Sequence, residues 1–367
     1  QWNKIGFGSA YHHQRIAAPE RSGLYYFHVK NSHGEFFSFP WIIRPRRPTA
    51  RIAVMTSNIT WNAYNNFGGR SNYVNQRELL PTPTVYSRTD LERYTQPGTW
   101  PFEEYGAPLS YDRPEPANFV SEDAQITDTI EGRLACAFAP GEWRLLGWLE
   151  REGVEYDLYS ETELHFGRLP LDQYRVLILN THNEYISKDM YFKMKDWVYQ
   201  RGGRVMSLAG CGMLCEMEFL DEHTIRCRQE ERHDLRGEPA ACLLGLEYSH
   251  AGYRSGAPYR VIEATHWVFD DTGHRAGDLF GQRSLNGRTP GGASGLELDK
   301  ISPHSPKNIV HLAKGENPEG SGADVVIYDT PSGGGVFSVG SLNWTLALPI
   351  DDAVSRITAN VVRRFLA

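Results

Sequence analysis

The chain has 367 residues, of which 40% are apolar, 23% charged and 12% aromatic, and it carries a formal charge of −7. This composition belongs to a soluble globular protein larger than one average domain; it excludes a disordered chain, and its negative balance gives no field that would draw in nucleic acid or an anionic membrane. No apolar stretch reaches the ~18 residues of a membrane span and no charged-then-apolar leader opens the chain, while five unevenly spaced cysteines point to reduced thiols in the cytoplasm.

Residues 1–48 hold two aromatic and β-branched runs, GLYYFHVKN and EFFSFPWIIRP, on either side of NSHGE, the signature of a hairpin. A lone hairpin is marginal in water, so this segment is expected to lean on the main domain or to close a larger β-module. The run RPRRP at 44–48 is short and broken by proline, and reads as a linker. Residues 49–367 form the second unit. RIAVMTS is a buried strand, followed by a Pro-, Tyr- and Asn-rich excursion over 58–140. EWRLLGWLEREG predicts an amphipathic helix, with Leu145, Leu146 and Leu149 on one side and Gly153 ending it. The strands VEYDLYS and YRVLILN come next, then a helix over SKDMYFKMKDWVYQRGG. Ser187 is its N-cap, Met190, Met194, Trp197 and Val198 form its stripe, and Gly202 and Gly203 stop it. RVMSLAG follows as a strand. Strands alternating with helices at this spacing predict an α/β fold with a parallel sheet. Residues 216–320 are Gly- and Arg-rich and carry no clear period. The end is regular again, with DVVIYDT, VFSVGSLNW and a helix showing Val354, Ile357, Val361 and Phe365 on one face.

A parallel sheet binds ligands at the carboxyl ends of its strands, and three loops fall at such ends. ITWNAYNNFGGRSNY (59–73) presents Tyr64 among amides and glycines, although a lone tyrosine there is more often a packed aromatic. THNEYIS (181–187) presents His182 and Glu184, whose plainer reading is a surface pair or a helix cap. AGCGMLCE (209–216) sets Cys211 between two glycines, at what is expected to be a strand-to-helix turn. Such a turn could make a nucleophile with a lowered thiol pKa, or house a buried inert cysteine.

These stretches also carry a resemblance. TWNAYNNFGGRSNY, RVLILNTHNEY, GGRVMSLAGCGM, GDLFG (277–281) and DTPSGGGVFSVGSLNW with VSRITANVVRRFL resemble the carboxy-terminal domain of the large (beta) subunit of N,N-dimethylformamidase and its relatives, over about residues 22–367. The resemblance implies a glutamine-amidotransferase-like (flavodoxin-like) α/β domain at 49–367, with long irregular insertions at 58–140 and 216–320. It implies that residues 1–48 are the end of a β-sandwich. The implied activity is hydrolysis of a small amide, a dialkyl formamide, at a mononuclear Fe3+ held by two tyrosinates and a carboxylate. On the residues, it implies Tyr64 and Glu184 as metal ligands and His182 as the histidine beside them. The second tyrosine is Tyr111 or Tyr105, and an acidic residue near the C-terminus is Asp329 or Glu316. It further implies a separate small subunit and a homo-oligomer.

Two departures stand out. Cys211 occupies a position where the family usually carries Asn. No lysine lies between Lys195 and Lys300, where the family has one, and Arg228 or Arg232 are the nearest cations. The expected function is therefore an iron-dependent, amidohydrolase-like protein. The alternatives are a metal-free hydrolase with Cys211 as nucleophile and His182 as base, or a non-catalytic ligand-binding subunit.

Overall fold

The computed structural model describes residues 16–34, 36–65, 67, 71–72, 106–115, 118, 138–228, 233–287 and 289–367. Tyr105 and Arg232 lie outside these residues.

The core is a nine-stranded sheet in the order Leu279–Phe280, Tyr259–Val261, Val310–Gly315, Asp324–Asp329, Gly335–Ser338, Arg204–Ala209, Val176–Thr181, Ile52–Met55, Asp157–Tyr159. The last five strands run parallel to their neighbours. The first five are linked antiparallel. The sheet is thus mixed, not purely parallel. Three of its antiparallel strands come from the region between 216 and 320 that showed no period.

The parallel strands are continuous apolar runs because both faces of the sheet are covered. Alternate residues serve opposite faces. Ile52, Val54, Val176, Ile178 and Met206 face one core, with Leu145, Leu146, Trp148 and Leu149 of the helix Ala139–Arg151. Val354, Ile357, Val361 and Phe365 of the closing helix Asp352–Leu366 join them. Ala53, Met55, Leu177, Leu179 and Val205 face the other core, against Met190, Met194, Trp197 and Val198 of the helix Lys188–Arg201. Ser187 caps that helix by accepting from the Met190 amide at 3.3 Å, and Gly202 ends it in the left-handed region at φ 73°.

The strand Gly23–Lys30 pairs antiparallel with Phe36–Ile43 in unbroken register, from Gly23 opposite Ile43 to Lys30 opposite Phe36. This hairpin rests on the edge of the large sheet. The Leu158 amide donates to the Ser22 hydroxyl at 2.7 Å, and Leu24 and Ile42 pack on the core.

Two local expectations are corrected. The segment after Ile52–Met55 is a short helix, Asn58–Ala63, with all six residues buried. The Cys211 turn leads to a strand, Cys215–Asp221, and not to a helix. That strand joins a four-stranded sheet in the order Leu109–Ser110, Thr224–Cys227, Cys215–Asp221, Tyr185–Ile186. Among the described residues no helix is long and apolar enough to cross a membrane, and Cys211, Cys215, Cys227 and Cys242 are free thiols.

Candidate metal centre

Three neighbouring parallel strands, Ile52–Met55, Val176–Thr181 and Arg204–Ala209, release their chains at one edge of the sheet. The first gives the helix Asn58–Ala63, with Tyr64 at its C-terminus. The Tyr64 ring lies 5.7 Å from the His182 ring, 5.6 Å from Phe138 and 6.4 Å from Tyr185, centroid to centroid. The second strand gives His182 and Glu184, and the third gives Cys211. A fourth segment, arriving from the aperiodic region, brings Glu297.

One ligand atom each from His182, Glu184, Cys211 and Glu297 lies within 4.8 Å of every other. The four residues are 1–5% exposed, so water does not screen them. His182 Nε2 is 2.9 Å from Glu297 Oε2 and 3.2 Å from Glu184 Oε2. These distances pair the imidazole with both carboxylates through Nε2, while Nδ1 has no hydrogen-bond partner among the described residues. Burial pushes His182 toward the neutral form. The Glu297 and Glu184 carboxylates outweigh it and hold the imidazole up at about 10.

Two further buried carboxylates stand behind the cluster. Glu142 accepts from the Ser57 amide and from Trp61 Nε1, both at 2.8 Å, and from the Ser57 hydroxyl; burial pushes it up to about 8. Glu161 accepts from the Ile59 amide and from Asn183 Nδ2, both at 2.8 Å, and burial raises it as well. A buried cluster this rich in carboxylate favours a cation.

The backbone is bent to make the cluster. Thr181, Cys211, Met213 and Leu296 all have φ between 55° and 67°, in the left-handed region that non-glycine residues avoid. Thr181 directly precedes His182, and Leu296 directly precedes Glu297. Each such residue costs about 1–3 kcal/mol and persists where its surroundings hold it, as functional sites do. Asp299 supplies part of that hold, accepting from the amides of Cys211 at 2.8 Å and Gly212 at 3.0 Å. Gly210 supplies another part, because a Cβ there would sit 2.6 Å from the Glu297 carbonyl oxygen and 2.7 Å from the Leu342 amide.

The structure weighs against Cys211 as an activated nucleophile. Burial, then Glu184, Glu297 and Asp299, push its thiol well above the ordinary value, and no helix N-terminus follows to reverse this. Tyr111 follows the strand Leu109–Ser110 and packs against the same apolar cluster as Tyr64. Its hydroxyl is buried with no hydrogen-bond partner among the described residues, and burial and then Glu161 raise it well above the usual phenol value.

Asp329 is not brought to this site. It lies opposite Gly335, which pairs with Arg204 at the start of the central strand, so it belongs to the opposite edge of the sheet and is exposed. Glu316 is paired with Arg260 at 2.9 Å on the surface. The acidic residue that does reach the cluster is Glu297, which the sequence reading missed. Its signal was GGASG just before LELDK: glycines allow close backbone approach, and the alternation puts Glu297 and Asp299 on one side. Arg228 is engaged by Glu218 at 3.4 Å and Asp234 at 3.9 Å.

Comparison with known proteins gives the same direction as the motifs. The family model described as N,N-dimethylformamidase beta subunit-like, C-terminal, matches residues 10–357. The chain is 27% identical over 288 residues to the N,N-dimethylformamidase beta subunit of Alcaligenes sp, and equally so to that of Paracoccus aminophilus. Each alignment takes in 62% of this chain and 37% of the relative, so the chain spans little more than a third of those proteins. Among solved structures, a cytoplasmic protein from Salmonella typhimurium superposes with a TM-score of 0.37 at 12% identity, covering 60% of this chain and 85% of that one. A β-galactosidase from Bacillus circulans sp. alkalophilus gives 0.38 at 14% identity, covering 60% and 26%. Superpositions this loose carry no argument about the fold. The model match over nearly the whole length is what decides, and the chain belongs to the N,N-dimethylformamidase beta subunit-like, C-terminal family.

Proposed function

We propose that this protein hydrolyses the C–N bond of a small amide of the dimethylformamide kind, at a single iron ion. The ion is held by Glu184 with Tyr64 and a second tyrosine, Tyr111 or Tyr105. The observation that carries the reading is the buried convergence of His182, Glu184 and Glu297, with the imidazole Nε2 facing both carboxylates. The names of the relatives support the amide substrate, and their description as a beta subunit supports a separate partner subunit. The five parallel strands support a glutamine-amidotransferase-like reading of their half of the sheet.

The donors fit a hard cation. Carboxylate and phenolate oxygens suit Fe3+, and a buried phenol without a hydrogen-bond partner among the described residues, as at Tyr111, is what a ligand position would leave behind. Such an ion would supply polarisation of an amide carbonyl and a lowered pKa for water. The chain's own groups do the rest. Glu184 is fixed on both sides, its amide donating to the Thr60 hydroxyl at 3.2 Å and its carbonyl accepting from the Cys215 amide at 3.0 Å. His182 Nε2, between Glu184 and Glu297, holds a proton next to the reacting bond and delivers it to the departing amine. Arg228 cannot replace a lysine as base, since guanidinium stays charged.

The test is metal analysis and a visible spectrum of the purified protein, with amine release from N,N-dimethylformamide assayed beside them. Wild type should hold about one iron per chain and show phenolate-to-iron colour. Tyr64→Phe, which keeps the ring and removes the oxygen, should lose the colour and most of the iron. Full iron and colour in Tyr64→Phe would make Tyr64 a packed aromatic and sink its assignment as a ligand.

A further inference from the structure

We propose that Cys211 is itself a ligand at this centre, giving the ion a sulfur donor and opening the site to borderline divalent cations of the Zn2+ and Co2+ class. The inference rests on reading the cluster as a metal centre and adds the identity of one donor. The Cys211 sulfur belongs to the group of four ligand atoms that lie within 4.8 Å of one another. An ion bonded to Glu184 at about 2.0–2.3 Å comes within reach of the Cys211 sulfur after a small inward adjustment. His182 is the independent sign that something is to be bound. It is 1% exposed, its Nε2 is shared between the Glu297 and Glu184 carboxylates at 2.9 and 3.2 Å, and its Nδ1 has no hydrogen-bond partner among the described residues.

The thiol does not reach the cluster by accident of a loose turn. Two amides clamped on Asp299 hold Cys211 at φ 55°, and the close approach at Gly210 seats this turn against the Glu297 segment. Sulfur is the one soft donor of the four, and softness moves preference from hard trivalent ions toward Zn2+, Co2+ and Fe2+. On coordination the S–H proton leaves to solvent and the sulfur binds as thiolate. Cys215 is the competing thiol. Its sulfur is 3.7 Å from Glu184 Oε1, but it does not belong to the group of four.

The experiment titrates metal-free protein with Co2+ and reads the near-ultraviolet sulfur-to-cobalt band, with affinity measured against a competing chelator. Wild type should bind about one Co2+ per chain with that band. Cys211→Ser should lose the band and bind roughly 10–100-fold more weakly, at least the loss that follows removal of an outer-shell partner. Cys211→Asn provides a second variant, since Asn tolerates a left-handed backbone, and it too should bind without the band. Cys215→Ser should keep the band. Co2+ bound by wild type without the band, or a band that survives in both Cys211 variants, overturns the sulfur ligand and leaves the centre with its oxygen donors alone. Wild type that takes up neither Co2+ nor iron overturns the metal centre and the inference with it.

Discussion

Glu184 stands three residues before the helix cap Ser187, close enough for its charge to serve the helix, and also two residues after His182 in a loop at the sheet edge. The structure separates these roles. Ser187 takes the Met190 amide, Asp189 supplies the acidic charge of the first turn, and Glu184 is 1% exposed beside His182. Glu184→Gln therefore leaves the helix cap untouched and removes the charge of a proposed ligand. A ligand present at 100 times its Kd stabilises the folded protein by about 2.7 kcal/mol, and this is the stabilisation the variant should lose. The measurement is the chelator-induced shift in melting temperature and the iron content of both forms. A wild type indifferent to chelator, together with a variant melting within about 1–2 °C of it, would leave Glu184 with no metal role. His182 and Glu184 were legible because a His-x-Glu in a loop after a clear strand has an address. Glu297 was not, because its neighbours form strands of two or three residues whose partners lie far away in the chain.

The site is made from element ends, and the tightness of their approach is itself testable. Alanine at Gly210 would drive its Cβ into the Glu297 carbonyl and the Leu342 amide, both backbone and unable to yield. Overpacking of this kind typically costs about 1–3 kcal/mol, and here it would also push the Glu297 segment away from His182. Gly212→Ala is the matched control, since its Cβ meets the Leu244 side-chain tip at 2.8 Å, an atom that can swing aside. Urea unfolding and metal affinity should both fall in Gly210→Ala and change much less in Gly212→Ala. Equal effects would remove the special role given to the Gly210 contact. The same elements show what sequence periodicity conveys. The helices Ala139–Arg151, Lys188–Arg201 and Asp352–Leu366 announce themselves by apolar stripes and stops, and the parallel strands by unbroken apolar runs. Asn58–Ala63 gives no such sign. It is built from Asn, Thr and Trp, weak helix formers, and it is buried all round, so no polar face marks its period. The glycines around Cys211 signalled a sharp turn, and nothing in a turn tells whether a helix or a strand comes next.

On the scale of the whole molecule, the chemistry and the joint between the two sequence units lie at different ends of the sheet. The residues of the candidate metal centre follow the carboxyl ends of the central strands. Asp157 opens the edge strand Asp157–Tyr159 and takes four donors: the Thr49 amide at 2.7 Å, the Thr49 hydroxyl at 2.6 Å, the Ala50 amide at 3.1 Å and the Tyr174 hydroxyl at 2.8 Å. Two residues of the chain just after the RPRRP linker are thereby pinned to the strand that also receives Ser22 ahead of the hairpin. Asp157→Ala would leave the buried Tyr174 hydroxyl without this acceptor, while the Thr49 and Ala50 donors, exposed or half-buried, can turn to water; a buried donor left without its acceptor costs about 1–3 kcal/mol, and a loss of that size is expected in urea unfolding. The hairpin should also come away more readily, read as faster tryptic cleavage after the exposed Arg46. Iron content and Co2+ affinity should stay at the wild-type level, because nothing at the carboxyl edge has changed. A variant that keeps its stability would show that Asp157 does not secure the joint. One that loses metal in step with stability would show that the two ends of the sheet are coupled, and that the hairpin, which contributes no ligand, helps to shape the centre.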